Sequence, residues 1–221
     1  MIYLPCVDVQ TNPAVAATAA VIWLHGLGSD GHDFASLVPQ LQLGRMENIR
    51  FIFPHAPSIP VTINNGYVMP AWYDILEMCV DRKVDVAQLM VSSRQVHALL
   101  DREVSRGIPS HKIILAGFSQ GGAVVYEAGL SYEKPLAGLL ILSSYFATHD
   151  SLCENVANKK TPILIQHGSE DTVVVEALGQ RAYRQLSGRG YNVTYESYAM
   201  EHSLCVEQLA VISRWLLDRL R

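Results

Sequence analysis

The apolar run Ile113-Ile114-Leu115-Ala116 passes directly into Gly117-Phe118-Ser119-Gln120-Gly121-Gly122, and Ala123-Val124-Val125-Tyr126-Glu127-Ala128 follows. A buried strand, a sharp turn and a helix join these pieces, with Ser119 at the tip of the turn. The spacing is that of a nucleophile elbow, G-x-S-x-G. Such a turn holds its serine in strained backbone geometry and crowds together the residues two before and two after it. Gly117 and Gly121 remove the side chains that would clash there. The pattern nominates Ser119 as a nucleophile and requires the rest of the chain to build a sheet beneath it.

The remaining segments supply that sheet. After an irregular start with one short edge strand near Cys6–Val9, Ala19-Ala20-Val21-Ile22-Trp23-Leu24 is apolar throughout, as strands covered on both faces are. A glycine-bearing loop, His25 to Gly31, leads to a helix expected from about Asp33 to Leu43. Phe51-Ile52-Phe53 is the next strand, stopped by Pro54. Residues 54–80 hold Pro57, Pro60, Pro70 and Asn64-Asn65-Gly66, which forbid a long regular element. The stretch is too apolar for disorder, so it reads as the wall of a site. A helix follows from about Val84 to Ser105. The helix after Ser119 ends near Gly129, and Ala137–Leu142 is another buried strand. A polar loop or short helix (144–160), the strand Pro162–His167, a helix over 175–188, an edge-like alternating strand Val193–Tyr198 and a last helix over 204–220 complete the chain. Strands alternating with helices predict an α/β fold, a mostly parallel central sheet with helices on both faces. Ligands of such sheets bind at the carboxyl ends of the strands.

A length of 221 residues fits a single domain spanning 1–221, and 49% hydrophobic content gives it a generous core. A net charge of −4 offers no electrostatic case for nucleic acid or an anionic membrane surface. No segment reads as a secretory signal or a membrane span, and the scattered cysteines read as those of a cytoplasmic protein. Cys6, Cys79, Cys153 and Cys205 lack metal-ligand spacing and read as reduced thiols, with a Cys79–Cys153 pairing left open. No metal and no cofactor are expected.

A serine nucleophile needs a base within hydrogen-bond reach, and the base needs an acceptor that fixes its tautomer. With this elbow the chain order is Ser, then Asp or Glu, then His. After Ser119 the strand-end loops offer Asp171 and then His202, so His202 is expected to take the serine proton and Asp171 to orient its imidazole. Each has a bland alternative: Asp171 as a helix cap, His202 as a solvated loop residue. Glu170 is the rival acid. His167 and His25, each followed by glycine, read as structural. For a tetrahedral intermediate the backbone N–H of Gln120, next to the nucleophile, and that of Leu27, between Gly26 and Gly28, are the candidate oxyanion donors. The side chains of Leu27 and Gln120 are then free to contact substrate. Leu27, Trp72, Ile75, Leu76 and Val173 are candidates for an apolar acyl site, although core packing explains Ile75 and Leu76 equally well.

Gly26-Leu27-Gly28-Ser29-Asp30-Gly31 also spells G-x-G-x-x-G between a strand and a helix, the dinucleotide-binding fingerprint. That reading wants an acid at the end of the following strand, which here ends Phe53-Pro54-His55, whereas Glu47 precedes it. It also leaves Ser119, Asp171 and His202 unexplained. A binding protein that has lost catalysis is the other alternative, opposed by the complete set of three.

Several motifs occur together in order: Leu24-His25-Gly26-Leu27-Gly28, Pro54-His55-Ala56-Pro57, Trp72-Tyr73-Asp74, Gly107-Ile108-Pro109, Gly117-Phe118-Ser119-Gln120-Gly121-Gly122-Ala123, His167-Gly168 with Asp171, and His202-Ser203 with Cys205. With them the chain resembles the acyl-protein thioesterase and lysophospholipase-like carboxylesterases of the α/β-hydrolase superfamily, from about Ala19 onward. The resemblance implies a small serine hydrolase without a large lid domain that cleaves carboxylic esters or thioesters through an acyl-enzyme. It also implies a loop around Trp72 lining the acyl site, and often a homodimer. Substrates across this group include small esters, lysophospholipids and acylated proteins. Thr172 stands where the family commonly has Pro, and Ala199 where Gly is common.

Overall fold

The computed structural model describes residues 3–44, 48–78 and 82–221. Glu47 and Cys79, weighed above as a ribose ligand and a disulfide partner, lie outside the described residues. In chain order the elements are β1 (Cys6–Gln10), β2 (Ala19–Leu24), α1 (His32–Ala35), β3 (Ile49–Pro54), β4 (Ser58–Val61), β5 (Tyr67–Pro70), β6 (Ile75–Glu77), β7 (Lys83–Val84), α2 (Val86–Ser105), β8 (Ile113–Phe118), α3 (Gln120–Ser131), β9 (Gly138–Leu142), β10 (Ile163–Gly168), α4 (Glu176–Gly188), β11 (Val193–Tyr198) and α5 (Val206–Leu220).

Among the described residues seven strands form the central sheet, in the order β1-β3-β2-β8-β9-β10-β11. Every pairing is parallel except β1 with β3 at the edge. The reason lies in the residues. Strands β2, β9 and β10 are buried at every position, so both their faces need cover. Ala20, Ile22 and Leu24 of β2 pack into the core beneath α2, α3 and α4. Ala19, Val21 and Trp23 point the other way, into the core beneath α5, where Leu209, Ile212, Leu216 and Leu220 form the buried stripe. The edge strands β1 and β11 mix half-buried and exposed positions, as the alternation in Val193–Tyr198 predicts. Helix α2 starts where Asp85 caps it, accepting from the Gln88 N–H at 3.0 Å.

Two expectations are corrected. The helix over Asp33–Leu43 is instead the single turn α1 followed by a 3₁₀ turn at Val38–Leu41. Pro39 has no N–H to give and its ring would strike the carbonyl one turn back, so a continuous helix cannot pass it. The described part of this stretch, residues 54–78, is less irregular than expected. The strands β4 and β5 form a hairpin whose turn uses Asn65 and Gly66 in the left-handed region, and β6 pairs antiparallel with β7. Both ribbons are short, in keeping with the prolines.

Parallel register brings the carboxyl ends of the strands to one rim. Leu24 pairs with Gly117, Phe118 with Leu142, and Gly168 with Tyr198. The loops after β2, β8, β9, β10 and β11 therefore meet above the sheet. Among the described residues no helix is long and apolar enough to cross a membrane.

Candidate active site

Ser119 has φ 54° and ψ −119°, a conformation that side chains avoid and that a surrounding structure must impose. Its N–H donates to the Leu142 carbonyl at 2.9 Å, and its carbonyl accepts from the Ser144 hydroxyl at 2.6 Å, so the end of β9 clamps the turn from both sides. A Cβ on Gly117 would lie 2.6 Å from the Gly121 carbonyl group, which is the crowding expected of the elbow. A Cβ on Gly121 would instead lie 2.5 Å from the His25 oxygen and 2.6 Å from that of Leu24. Gly121 thus lets the first turn of α3 settle against the end of β2.

Asp171, in the loop after β10, uses its two oxygens for different tasks. Oδ1 accepts from the N–H groups of Val173 at 2.9 Å and Val174 at 2.8 Å, closing the turn that leads towards α4. Oδ2 accepts from His202 Nδ1 at 2.6 Å. Asp171 is not the helix cap: the N-cap position of α4 is Val175, without a side-chain cap, and Asp171 Oδ1 instead closes the turn ahead of it while Oδ2 faces the imidazole. Burial pushes the Asp171 carboxyl up, but the His202 and Val174 hydrogen bonds outweigh it and leave its pKa below the ordinary value. Glu170 is exposed. Gly168 makes the approach of the two loops possible, because a side chain there would overlap the Met200 carbonyl. With Nδ1 donating to Asp171, Nε2 of His202 is left as the acceptor. The His202 ring lies 4.7 Å from that of Phe118, between centroids.

Ser119 and His202 line one cleft of about 370 Å³. Leu27, Ile75 and Val173 line it too, as do Phe34, Ile63, Asn64, Met78, Arg82 and Tyr145, which the sequence reading does not single out. The Asn-Asn-Gly turn between β4 and β5 is the signal that could have placed Ile63 and Asn64 at the tip of a hairpin beside the site. Tyr145 could have been found by inspecting the loop after β9, since every such loop reaches the rim. The Arg82 guanidinium lies over the Tyr145 ring, 4.9 Å from its centroid, and donates to the Val173 carbonyl, so it crosses one side of the cleft.

Trp72 and Leu76 are not in the cleft wall. Trp72 is 1% exposed and packs under the rim with its indole N–H on the His25 carbonyl at 2.8 Å. Gln120 borders the cleft, but its side chain is not free for substrate: Oε1 accepts from the Trp72 N–H at 2.9 Å and Nε2 donates to the Tyr73 carbonyl at 2.7 Å. The backbone N–H groups of Leu27 and Gln120 donate to no protein acceptor among the described backbone hydrogen bonds, and Gln120 opens α3, where the first amides are unsatisfied within the helix.

His25 and His167 are held in place by the backbone. His25 donates from Nδ1 to the Gly26 carbonyl at 2.7 Å and accepts at Nε2 from the Ala56 N–H at 3.1 Å. His167 Nε2 donates to the Val174 carbonyl at 2.7 Å. Burial lowers both pKa values, so each is a neutral scaffold group. The G-x-G-x-x-G loop does not carry a phosphate cradle: α1 is four residues long, Asp30 Oδ1 takes up the His32 N–H at 2.7 Å, and Gly31 is needed because a side chain would overlap the Phe53 carbonyl.

Comparisons with known proteins bear on the family of the chain. The family model described as phospholipase/carboxylesterase matches residues 6–218. The chain is 43% identical over 220 residues to acyl-protein thioesterase 1 of Neurospora crassa, covering 94% of this chain and 90% of that one. Acyl-protein thioesterase 1 of Schizosaccharomyces pombe is 42% identical over 182 residues, 81% of this chain and 80% of its own. The crystal structure of Zea mays acyl-protein thioesterase 2 superposes with a TM-score of 0.84 at 27% identity, covering 97% of this chain and 99% of that one.

Proposed function

The chain belongs to the phospholipase/carboxylesterase family and hydrolyses ester or thioester bonds, and we propose that it does so through an acyl-enzyme on Ser119, with acylated thiols on proteins as its substrates. The observation that carries the residue assignment is the 2.6 Å bond from His202 Nδ1 to Asp171, made by a histidine that shares a cleft with a serine held at positive φ.

Ser119 Oγ attacks the acyl carbonyl carbon as His202 Nε2 takes its proton, and Asp171 stabilises the imidazolium. The N–H groups of Leu27 and Gln120 hold the oxyanion. Collapse breaks the bond to the leaving thiol or alcohol, which departs with the proton from His202. Water then attacks the acyl-enzyme with His202 again as base, releasing the carboxylic acid and restoring the Ser119 hydroxyl. Leu27, Ile75 and Val173 supply apolar surface for the acyl chain. The preference for acylated protein thiols is supported by the relatives named acyl-protein thioesterase.

The test is a rate series over matched oxygen esters and thioesters of increasing acyl length, together with an S-acylated cysteine peptide. The proposal expects kcat/KM to rise with acyl length and to be highest for the peptide thioester. A preference for acetyl esters over every thioester would overturn the substrate assignment and leave the Ser119 assignment standing.

A further inference from the structure

The two candidate oxyanion donors come from different loops, one after β2 and one after β8. The ladder between these strands ends at the pair Leu24 and Gly117, before either donor is reached. Gly26 and Gly28 flank Leu27, and Gly121 and Gly122 follow Gln120 in the first turn of α3. The Gly26–Gly28 loop has little stiffness of its own, whereas Gln120 opens α3, and an oxyanion hole works only if both amides stay fixed relative to the reacting carbonyl.

A third segment spans the gap. Pro70 accepts from the Gly28 N–H at 2.8 Å, and the Trp72 indole N–H donates to the His25 carbonyl at 2.8 Å, so the first loop is gripped on both sides of Leu27. On the other side the Trp72 N–H donates to Gln120 Oε1 at 2.9 Å, and Gln120 Nε2 donates to the Tyr73 carbonyl at 2.7 Å. The Ser92 hydroxyl, from the rigid helix α2, donates to the Trp72 carbonyl and anchors the segment from behind. Trp72, Tyr73 and Gln120 are all essentially inaccessible, so water does not compete for these bonds.

We propose that residues 70–73 are a bracket that sets the distance between the two oxyanion amides, and that Trp72 and the Gln120 side chain are positioning residues for the reaction. The inference rests on Ser119 being the nucleophile and goes beyond it. It also gives Trp72 a role other than packing: a phenylalanine could fill much of its space but could not hold the His25 carbonyl.

Two variants test it, Trp72→Phe and Gln120→Met. Each is read by circular dichroism and thermal melting, by end-point fluorophosphonate stoichiometry at Ser119, by kcat and KM on a nitrophenyl ester, and by the Kd of a trifluoromethyl ketone, whose hemiketal adduct places an oxyanion in the hole. The ketone of an equal acyl chain without fluorine reports ground-state binding. The expected result is folded protein that labels fully, a kcat lower by about 10- to 100-fold, KM and plain-ketone affinity within about twofold, and trifluoromethyl ketone affinity lower by the same factor as kcat/KM. Unchanged kcat in either folded variant would overturn the bracket, as would a loss of kcat without a matching loss of trifluoromethyl ketone affinity. If Trp72→Phe does not fold, Gln120→Met decides by the same criteria. Failure of the wild-type enzyme to label at Ser119 would instead overturn the nucleophile assignment.

Discussion

Asp171 and His202 lie 31 positions apart in the chain, and their side chains meet at 2.6 Å, Oδ2 to Nδ1. The second oxygen of Asp171 is committed to the Val173 and Val174 amides, so the carboxylate cannot rotate away from the imidazole without giving up two backbone hydrogen bonds. The orientation of the His202 imidazole is thereby built into the turn that leads to α4.

Asp171→Asn is expected to lower kcat by about 10⁴-fold with the fold retained, because an amide NH₂ facing His202 selects the wrong tautomer. Glu170→Gln, one residue away and exposed, should change kcat by less than about twofold. Comparable losses in both variants, measured on a short nitrophenyl ester, would remove Asp171 from its assigned role.

Ser119→Ala should lose turnover by about 10⁴-fold or more on the same ester and lose labelling by a fluorophosphonate, with an unchanged far-ultraviolet spectrum. Near wild-type turnover in the folded variant would refute the nucleophile assignment.

His25 and His167 make stability depend on pH in a defined window. Burial lowers both pKa values from their ordinary value of 6.5, offset in part by backbone hydrogen bonds. The unfolded chain takes up protons at these histidines as the pH falls below about 6.5, where the folded chain still refuses them. Their contribution to stability is therefore complete above that pH and is lost as the pH falls towards the folded values. Urea midpoints should fall between pH 7.5 and 5.5, and His167→Gln, which can still donate to Val174, should flatten that slope. An unaltered slope in the variant would count against His167.

Two glycine-to-alanine changes should differ in sign. Gly121→Ala puts a methyl group against the His25 and Leu24 carbonyls, backbone atoms that cannot step aside, and should destabilise by about 3 kcal/mol or more. Gly188→Ala, with no atom within 4 Å of the new Cβ and a helical position at the end of α4, should stabilise by about 0.5–1 kcal/mol. Urea titration of the two purified variants measures both.

The central sheet is legible in the sequence because β2, β8, β9 and β10 are covered on both faces, and unbroken apolar runs are what such strands must be. The pairing of Asp171 with His202, and their place beside Ser119, is legible because the chain order and strand-end positions of the three satisfy a chemical requirement jointly. The interrupted helix at 33–43 is a matter of one proline that outweighs a good apolar stripe. Trp72 misleads for a different reason. An aromatic in a stretch without periodicity gives no sign of whether it faces a cleft or the layer beneath it, and only the His25 carbonyl decides. The Gln120 side chain is hidden likewise, since its partners at Trp72 and Tyr73 are nearly fifty residues away in sequence.

His202 follows β11, the last strand to be made, and β11 joins the sheet only through β10. A ribosome-bound chain that has already formed its elbow and the Asp171 loop still lacks the proposed base. On the proposed assignment hydrolysis is expected only once the final strand has docked, so that esterase activity would serve as a direct report of completed folding.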